Sequence, residues 1–219
     1  MDNLWIFGDS FSRYFRFICP EYVSLLKYEP QIYVDILAYE LDLNVYNFAK
    51  GGSDNYTIFH NWVDHIEDIK KDDIVIFGWS DVIRFRLANR TDEWTSMNNA
   101  FLEKEYGNIE NFSRNSYKET IYNREHKLYH DELNNFIKLI NLYSKNDIVI
   151  HWSWVFYNHP VNLSFQTLDL PNIIEETNGI IKNGHYGEGS QKELAKTILK
   201  LIGESGKYPN FSKKDQKLI

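Results

Sequence analysis

Apolar residues in this chain gather in four short runs: Leu4–Phe7, Asn44–Phe48, Ile74–Phe77 and Ile148–Trp152. Each is followed by small or polar residues. Continuous apolar runs of this length, rather than alternating ones, mark strands buried on both faces, as in a parallel sheet. Between them the period changes. Ile32, Ile36, Leu37, Tyr39 and Leu41 recur at helical spacing around Tyr33–Leu41, and Ile58, Trp62, Val63, Ile66 and Ile69 do so over Tyr56–Ile69. A third helical stretch, Leu133–Tyr143, precedes the fourth run, and Gln191–Leu201 closes the folded part. Strand–helix–strand alternation predicts an α/β protein with three layers, α/β/α, in which helices cover both faces of a parallel sheet. Ligands of such sheets bind beyond the carboxyl ends of the strands.

The rhythm breaks from about Phe85 to His130. This stretch is polar yet strewn with aromatics: Trp94, Phe101, Tyr106, Phe112, Tyr117, Tyr122 and Tyr129. A structureless loop of that length is uncommon in a compact domain. An insertion with some helix of its own is expected, either capping the strand ends or forming a peripheral excursion. The expected organisation is one domain over residues 1–203 and a polar C-terminal extension, Glu204–Ile219, containing Pro209.

Composition narrows the function classes. The 219 residues suffice for one full core. A net charge of −7 without a basic stripe argues against the nucleic-acid backbone and anionic membrane surfaces as partners. Aromatics make up 16% of the chain; they fill cores and also line sugar-binding surfaces. Cys19 is the one cysteine, which excludes an intramolecular disulfide and a multi-cysteine zinc site. His126 and His130 are four apart, but without a His-Glu-x-x-His motif they read as a solvated helix face. No phosphate-binding glycine loop is present, and no metal or organic cofactor is expected. No apolar run reaches membrane-spanning length, and the N-terminus does not read as a signal peptide. The expected location is the cytoplasm, with lysis or a virus particle as routes of release.

The candidate chemistry sits at the predicted strand ends. Gly8-Asp9-Ser10-Phe11-Ser12 follows the first run, making Ser10 a candidate nucleophile. A serine hydroxyl needs a base, usually histidine. His185 lies in a glycine-rich loop, Asn183-Gly184-His185-Tyr186-Gly187-Glu188-Gly189, just before the last helix. A tetrahedral intermediate also needs donors for its oxyanion. Gly52, in Lys50-Gly51-Gly52-Ser53-Asp54-Asn55 after the second run, lets the backbone approach a ligand, and Asn55 adds an amide. Gly78-Trp79-Ser80-Asp81 follows the third run, with the Ser80 hydroxyl as a further donor. His151-Trp152-Ser153-Trp154, at the end of the fourth run, places one or two side chains near the site.

Taken in order, these segments resemble the SGNH (GDSL-type) hydrolase family. Gly8-Asp9-Ser10-Phe11-Ser12 is similar to its first block, Asn47 with Gly52 to its second, Gly78-Trp79-Ser80-Asp81 to its third, and His185 with Gly189 to its fifth. The resemblance spans Asn3 to about Leu201. It implies a flavodoxin-like, five-stranded parallel sheet, with a fifth strand near Leu163–Thr167. It also implies a serine esterase in which Ser10 attacks and His185 is the base, while Gly52, Asn55 and Ser80 serve the oxyanion. The implied partner is a small-molecule or carbohydrate ester, with O-acetyl groups on carbohydrate as one substrate class. Two positions depart from the family. Ser80 stands where the third block has asparagine. Lys182 and Asn183 stand where an aspartate orients the histidine. Asn183, a displaced Glu188 or Asp169, or no side chain at all (a Ser–His dyad) are the alternatives for that role. An SGNH-fold binding module with weakened or no catalysis is the alternative function.

Overall fold

The computed structural model describes residues 2–81, 85–88, 94–97, 126–154, 165–167 and 170–205. The chain is an α/β protein. Strand β1 (Asn3–Gly8) lies between β2 (Asn44–Asn47) and β3 (Ile74–Trp79), all parallel. A hairpin of β4 (Phe85–Ala88) and β5 (Trp94–Met97) pairs antiparallel in a separate sheet. Strand β6 (Ile148–Ser153) pairs parallel with β3, and β7 (Phe165–Thr167) parallel with β6, so the main sheet runs β2-β1-β3-β6-β7. The helices are α1 (Phe15–Ile18), α2 (Pro20–Leu26), α3 (Tyr33–Leu41), α4 (Asn55–Val63), α5 (His126–Tyr143), α6 (Ile173–Glu176) and α7 (Glu188–Glu204).

The strands divide their side chains between two cores, as the two-residue period of a strand requires. Leu4, Ile6, Ile74, Ile76, Ile148, Ile150 and Trp152 face one core, packed by α3 and α7 through Val34, Leu37, Leu194 and Ile198. Trp5, Phe7, Val75, Phe77 and Trp79 face the other, packed by α4 and α5 through Ile58, Trp62, Phe136 and Ile140. Burial on both faces is why these strands read as unbroken apolar runs. Strand β2 lies at an edge, and its alternate residues Asn44 and Tyr46 are exposed. Trp5 stacks on Tyr46 at 4.4 Å.

Several elements differ from the sequence expectation. The helix expected over Tyr56–Ile69 ends at Val63 and continues as turns. The helix expected from Leu133 begins at His126, inside the stretch read as an insertion. The described part of that insertion before it is the β4–β5 hairpin rather than helix. The rest of that stretch, with Phe101, Tyr106, Phe112, Tyr117 and Tyr122, lies outside the described residues, as do Asp169 and most of the C-terminal extension. Helices α1 and α2 are too short to leave a periodic signal; Pro20 opens α2, where a missing N–H is tolerated. Among the described residues no helix is long and apolar enough to cross a membrane, and no cluster of potential metal ligands occurs.

At the amino-terminal edge of the sheet, buried Asp73 accepts hydrogen bonds from Lys70 N, Asn3 N, Asn3 Nδ2 and Trp5 Nε1. Burial acts to raise its carboxyl pKa, but these donors together outweigh it and hold the group below its ordinary value.

Candidate active site

The carboxyl ends of β1, β2, β3 and β6 converge where the sequence places its motifs. After Gly8 the chain turns into a single 3-10 turn, Ser10–Ser12. Asp9 organises it. One carboxylate oxygen accepts the Phe11 N–H at 3.0 Å, and the other accepts Trp154 Nε1–H at 2.9 Å. The aspartate of Gly-Asp-Ser is thus a buried brace between the β1 and β6 ends, not a reacting group. Gly8 and Gly78 are register partners, and a Cβ on either would lie 2.7 or 2.8 Å from Ser12 Oγ. Both must be glycine for Ser12 to pass between them and meet Tyr33 Oη at 3.0 Å.

Ser10 Oγ lies 2.7 Å from His185 Nε2. On the other side of the ring, His185 Nδ1 lies 2.6 Å from Asn183 Oδ1. That oxygen also accepts the His185 backbone N–H at 2.9 Å, and Asn183 Nδ2 donates to the Ile18 carbonyl at 3.0 Å. The amide orientation follows from these partners. Turning it over would put an NH₂ against the His185 N–H and an oxygen against the Ile18 carbonyl. With oxygen toward the ring, Nδ1 carries the proton, and Nε2 offers its lone pair to the serine hydroxyl.

The loop bearing His185 is fastened on several sides. The His185 carbonyl accepts Ile173 N–H at 2.8 Å. Phe11 packs against the His185 ring at 4.7 Å, with Trp154 stacked on Phe11 at 4.5 Å. Gln191, fully buried in α7, donates to the Phe11 carbonyl and accepts Tyr33 N–H, locking the last helix to the Ser10 turn. A Cβ on Gly187 would meet the Glu176 carboxylate, which would have to give way.

The Gly51–Gly52 turn follows the carboxyl end of β1, because Phe48 N and Lys50 N continue the β2–β1 pairing onto the Ile6 and Gly8 carbonyls at 2.8 and 3.1 Å. Gly52 has φ +77°, a conformation that only glycine adopts readily. Asn47, which the sequence reading pairs with Gly52, donates to the Ser12 carbonyl at 2.9 Å. Asn55 and Ser80 meet in a two-bond clasp: Ser80 N–H donates to Asn55 Oδ1 at 2.8 Å, and Asn55 Nδ2 donates to the Ser80 carbonyl at 3.0 Å.

Two expectations are corrected. Ser80 has no exposed surface, so its hydroxyl does not face a substrate; its backbone instead fixes Asn55. Glu188 does not reach His185: its carboxylate takes Tyr28 Oη–H at 2.5 Å and Lys192 Nζ at 2.7 Å. Of the four residues His151–Trp154, His151 lies on the opposite core, accepting Trp79 Nε1–H at Nδ1 (3.1 Å), with Nε2 3.3 Å from Asn141 Oδ1. Burial lowers its pKa to about 3, so it is neutral. Trp154, not His151 or Trp152, is the member of that segment that borders Ser10.

Ile18 and Gln191 are participants the sequence reading did not name. Ile18 acts through its carbonyl and leaves no side-chain signal. Gln191 had one: it occupies the buried stripe of Leu194, Ala195 and Ile198 at helical spacing, where a polar side chain needs a partner. Compared with protein-family models and with curated proteins, the chain matches none of them.

Proposed function

We propose that this chain is a serine esterase of the SGNH-hydrolase type, with the flavodoxin-like five-stranded fold of that family, acting on acyl esters. The observation that carries this reading is the continuous set of contacts Ser10 Oγ–His185 Nε2 and His185 Nδ1–Asn183 Oδ1, at 2.7 and 2.6 Å. Ser10 Oγ attacks the acyl carbon while His185 Nε2 takes its proton. The oxyanion is held by backbone N–H groups of Ser10 and Gly52. Asn55, oriented by Ser80, keeps its second amide proton as a third donor. His185 then protonates the leaving alkoxide, and the same steps with water release the acid. By resemblance, O-acetyl groups on carbohydrate remain the favoured substrate class.

Asn183 takes the place of the triad acid. In a serine protease, changing that acid to asparagine costs about 10⁴ in kcat, because the histidine is held in the wrong tautomer. Here Asn183 presents oxygen to the ring and the tautomer is the productive one. What is lost is only the negative charge beside the imidazolium. That missing charge is also the one observation favouring the second reading, a binding module of this fold with little turnover.

Hydrolysis of 4-nitrophenyl acetate tests the proposal. The wild type should exceed the buffer rate. Ser10→Ala and His185→Ala should each lose about 10³-fold or more. A well-folded wild type without turnover of short esters, or a Ser10→Ala variant with full rate, would overturn it.

A further inference from the structure

Arg13 closes the 3-10 turn that carries Ser10, its backbone N–H donating to the Ser10 carbonyl at 3.2 Å. Its side chain reaches the neighbouring strand end: Nη1 lies 3.5 Å from where a Cβ on Gly51 would stand. The guanidinium thus sits over the Gly51–Gly52 turn, on the flank of the nucleophile. Its position is held by the Phe17 ring, 4.8 Å from Cζ to the centroid.

A comparison with Arg16 separates Arg13 from an ordinary surface arginine. Arg16 packs on the same Phe17 ring at 5.0 Å, but its Nη1 pairs with Glu29 Oε2 at 2.7 Å. Among the described residues no carboxylate pairs with Arg13. The nearby acids of the site have other work: Asp9 braces Trp154, and Asp54 caps α4. Lys50, exposed on the same turn, adds a second positive charge. In a chain of net charge −7, Arg13 and Lys50 thus set two positive charges beside the proposed nucleophile, both more exposed than the buried carboxylates of Asp9 and Asp54.

We propose that Arg13 selects ester substrates bearing an anionic group, a carboxylate or phosphate, near the scissile carbonyl. This rests on the esterase reading. The planar guanidinium presents parallel N–H donors matched to such oxyanions. Phe17 packs against its guanidinium, and Lys50 adds to the positive charge.

Two matched ester pairs test it, one for each side of the ester. 4-Nitrophenyl acetate is compared with mono-4-nitrophenyl succinate, whose charge is on the acyl side. Methyl 4-acetoxybenzoate is compared with 4-acetoxybenzoate, whose charge is on the alcohol side. In at least one pair, Arg13→Gln should lower the anionic-to-neutral ratio of kcat/KM about tenfold or more, mainly through KM. Arg13→Glu should lower it further, Arg13→Lys should restore part of it, and added salt should shrink the wild-type ratio. Ratios unchanged in both pairs, or both members falling together, would overturn the proposal while leaving the esterase intact. Binding of monomethyl succinate and 4-acetoxybenzoate to Ser10→Ala, with and without Arg13→Gln, separates the two ideas. Arg13-dependent binding in a protein whose wild type hydrolyses no ester would keep the anion site and sink the esterase.

Discussion

Two histidines, on opposite sides of the sheet, each rest one ring nitrogen near an asparagine oxygen, yet they do different things. His151 stands in the sheet register with Phe7 and Phe77 and stacks on Phe77 at 5.2 Å. Its second nitrogen accepts an indole N–H from Trp79. His185 stands at the strand ends, and its second nitrogen meets the Ser10 hydroxyl. An indole N–H is only a donor and gives up no proton at ordinary pH, whereas a hydroxyl can be deprotonated as it attacks. On the proposed reading of His185, the asparagine is therefore not what makes a histidine a base. It fixes a tautomer, and the group on the far nitrogen decides whether that tautomer is structural or chemical.

Replacing the asparagine beside His185 should have the largest effect. Asn183→Leu removes the acceptor for Nδ1–H and the anchor to Ile18, and should cost about 10²–10⁴ in kcat/KM on a short ester. His151→Phe, the matching change on the other core, should leave that rate within a few-fold. Its effect should appear in denaturant unfolding as a loss of about 1–3 kcal/mol, because Trp79 Nε1–H is left buried without its acceptor. An Asn183→Leu variant of undiminished activity would remove the distinction between the two histidines.

A smaller effect is a pH dependence belonging to His151 alone. Unfolded, its imidazole protonates below about 6.5; folded, burial keeps it neutral to about 3. Between those values the unfolded state binds more protons, so this group makes wild-type stability fall as pH falls, by up to about 1.4 kcal/mol per unit. Asp73, whose folded carboxyl is held low, contributes stability that is present above its unfolded pKa and lost as pH falls below it, at about 4. Between pH 6.5 and 4.5 the stability gap between wild type and His151→Phe should therefore narrow. Unfolding curves at several pH values check this; a constant gap would mean that His151 is protonated in the fold.

The sequence exposed those parts of the molecule whose cause is local. Strands β1, β3 and β6 showed as apolar runs because both their faces are buried. Ser10 and His185 stood out because glycines and polar residues surround them at predicted strand and helix ends. What stayed hidden depends on partners far along the chain. The Asn183 amide is turned by the carbonyl of Ile18, 165 residues away, and Glu188 is drawn off by Tyr28, 160 residues away. No local pattern records either. Short α6 bears on the site through the Ile173 N–H bond to the His185 carbonyl, a backbone contact without side-chain signature.

The most direct test of the central claim is the site at which a fluorophosphonate attaches, mapped by mass spectrometry of the wild-type protein. The account predicts a single adduct on Ser10, absent in Ser10→Ala, strongly slowed in His185→Ala and unaffected in His151→Phe. Folded protein that forms no adduct, or an adduct on another residue, would contradict it.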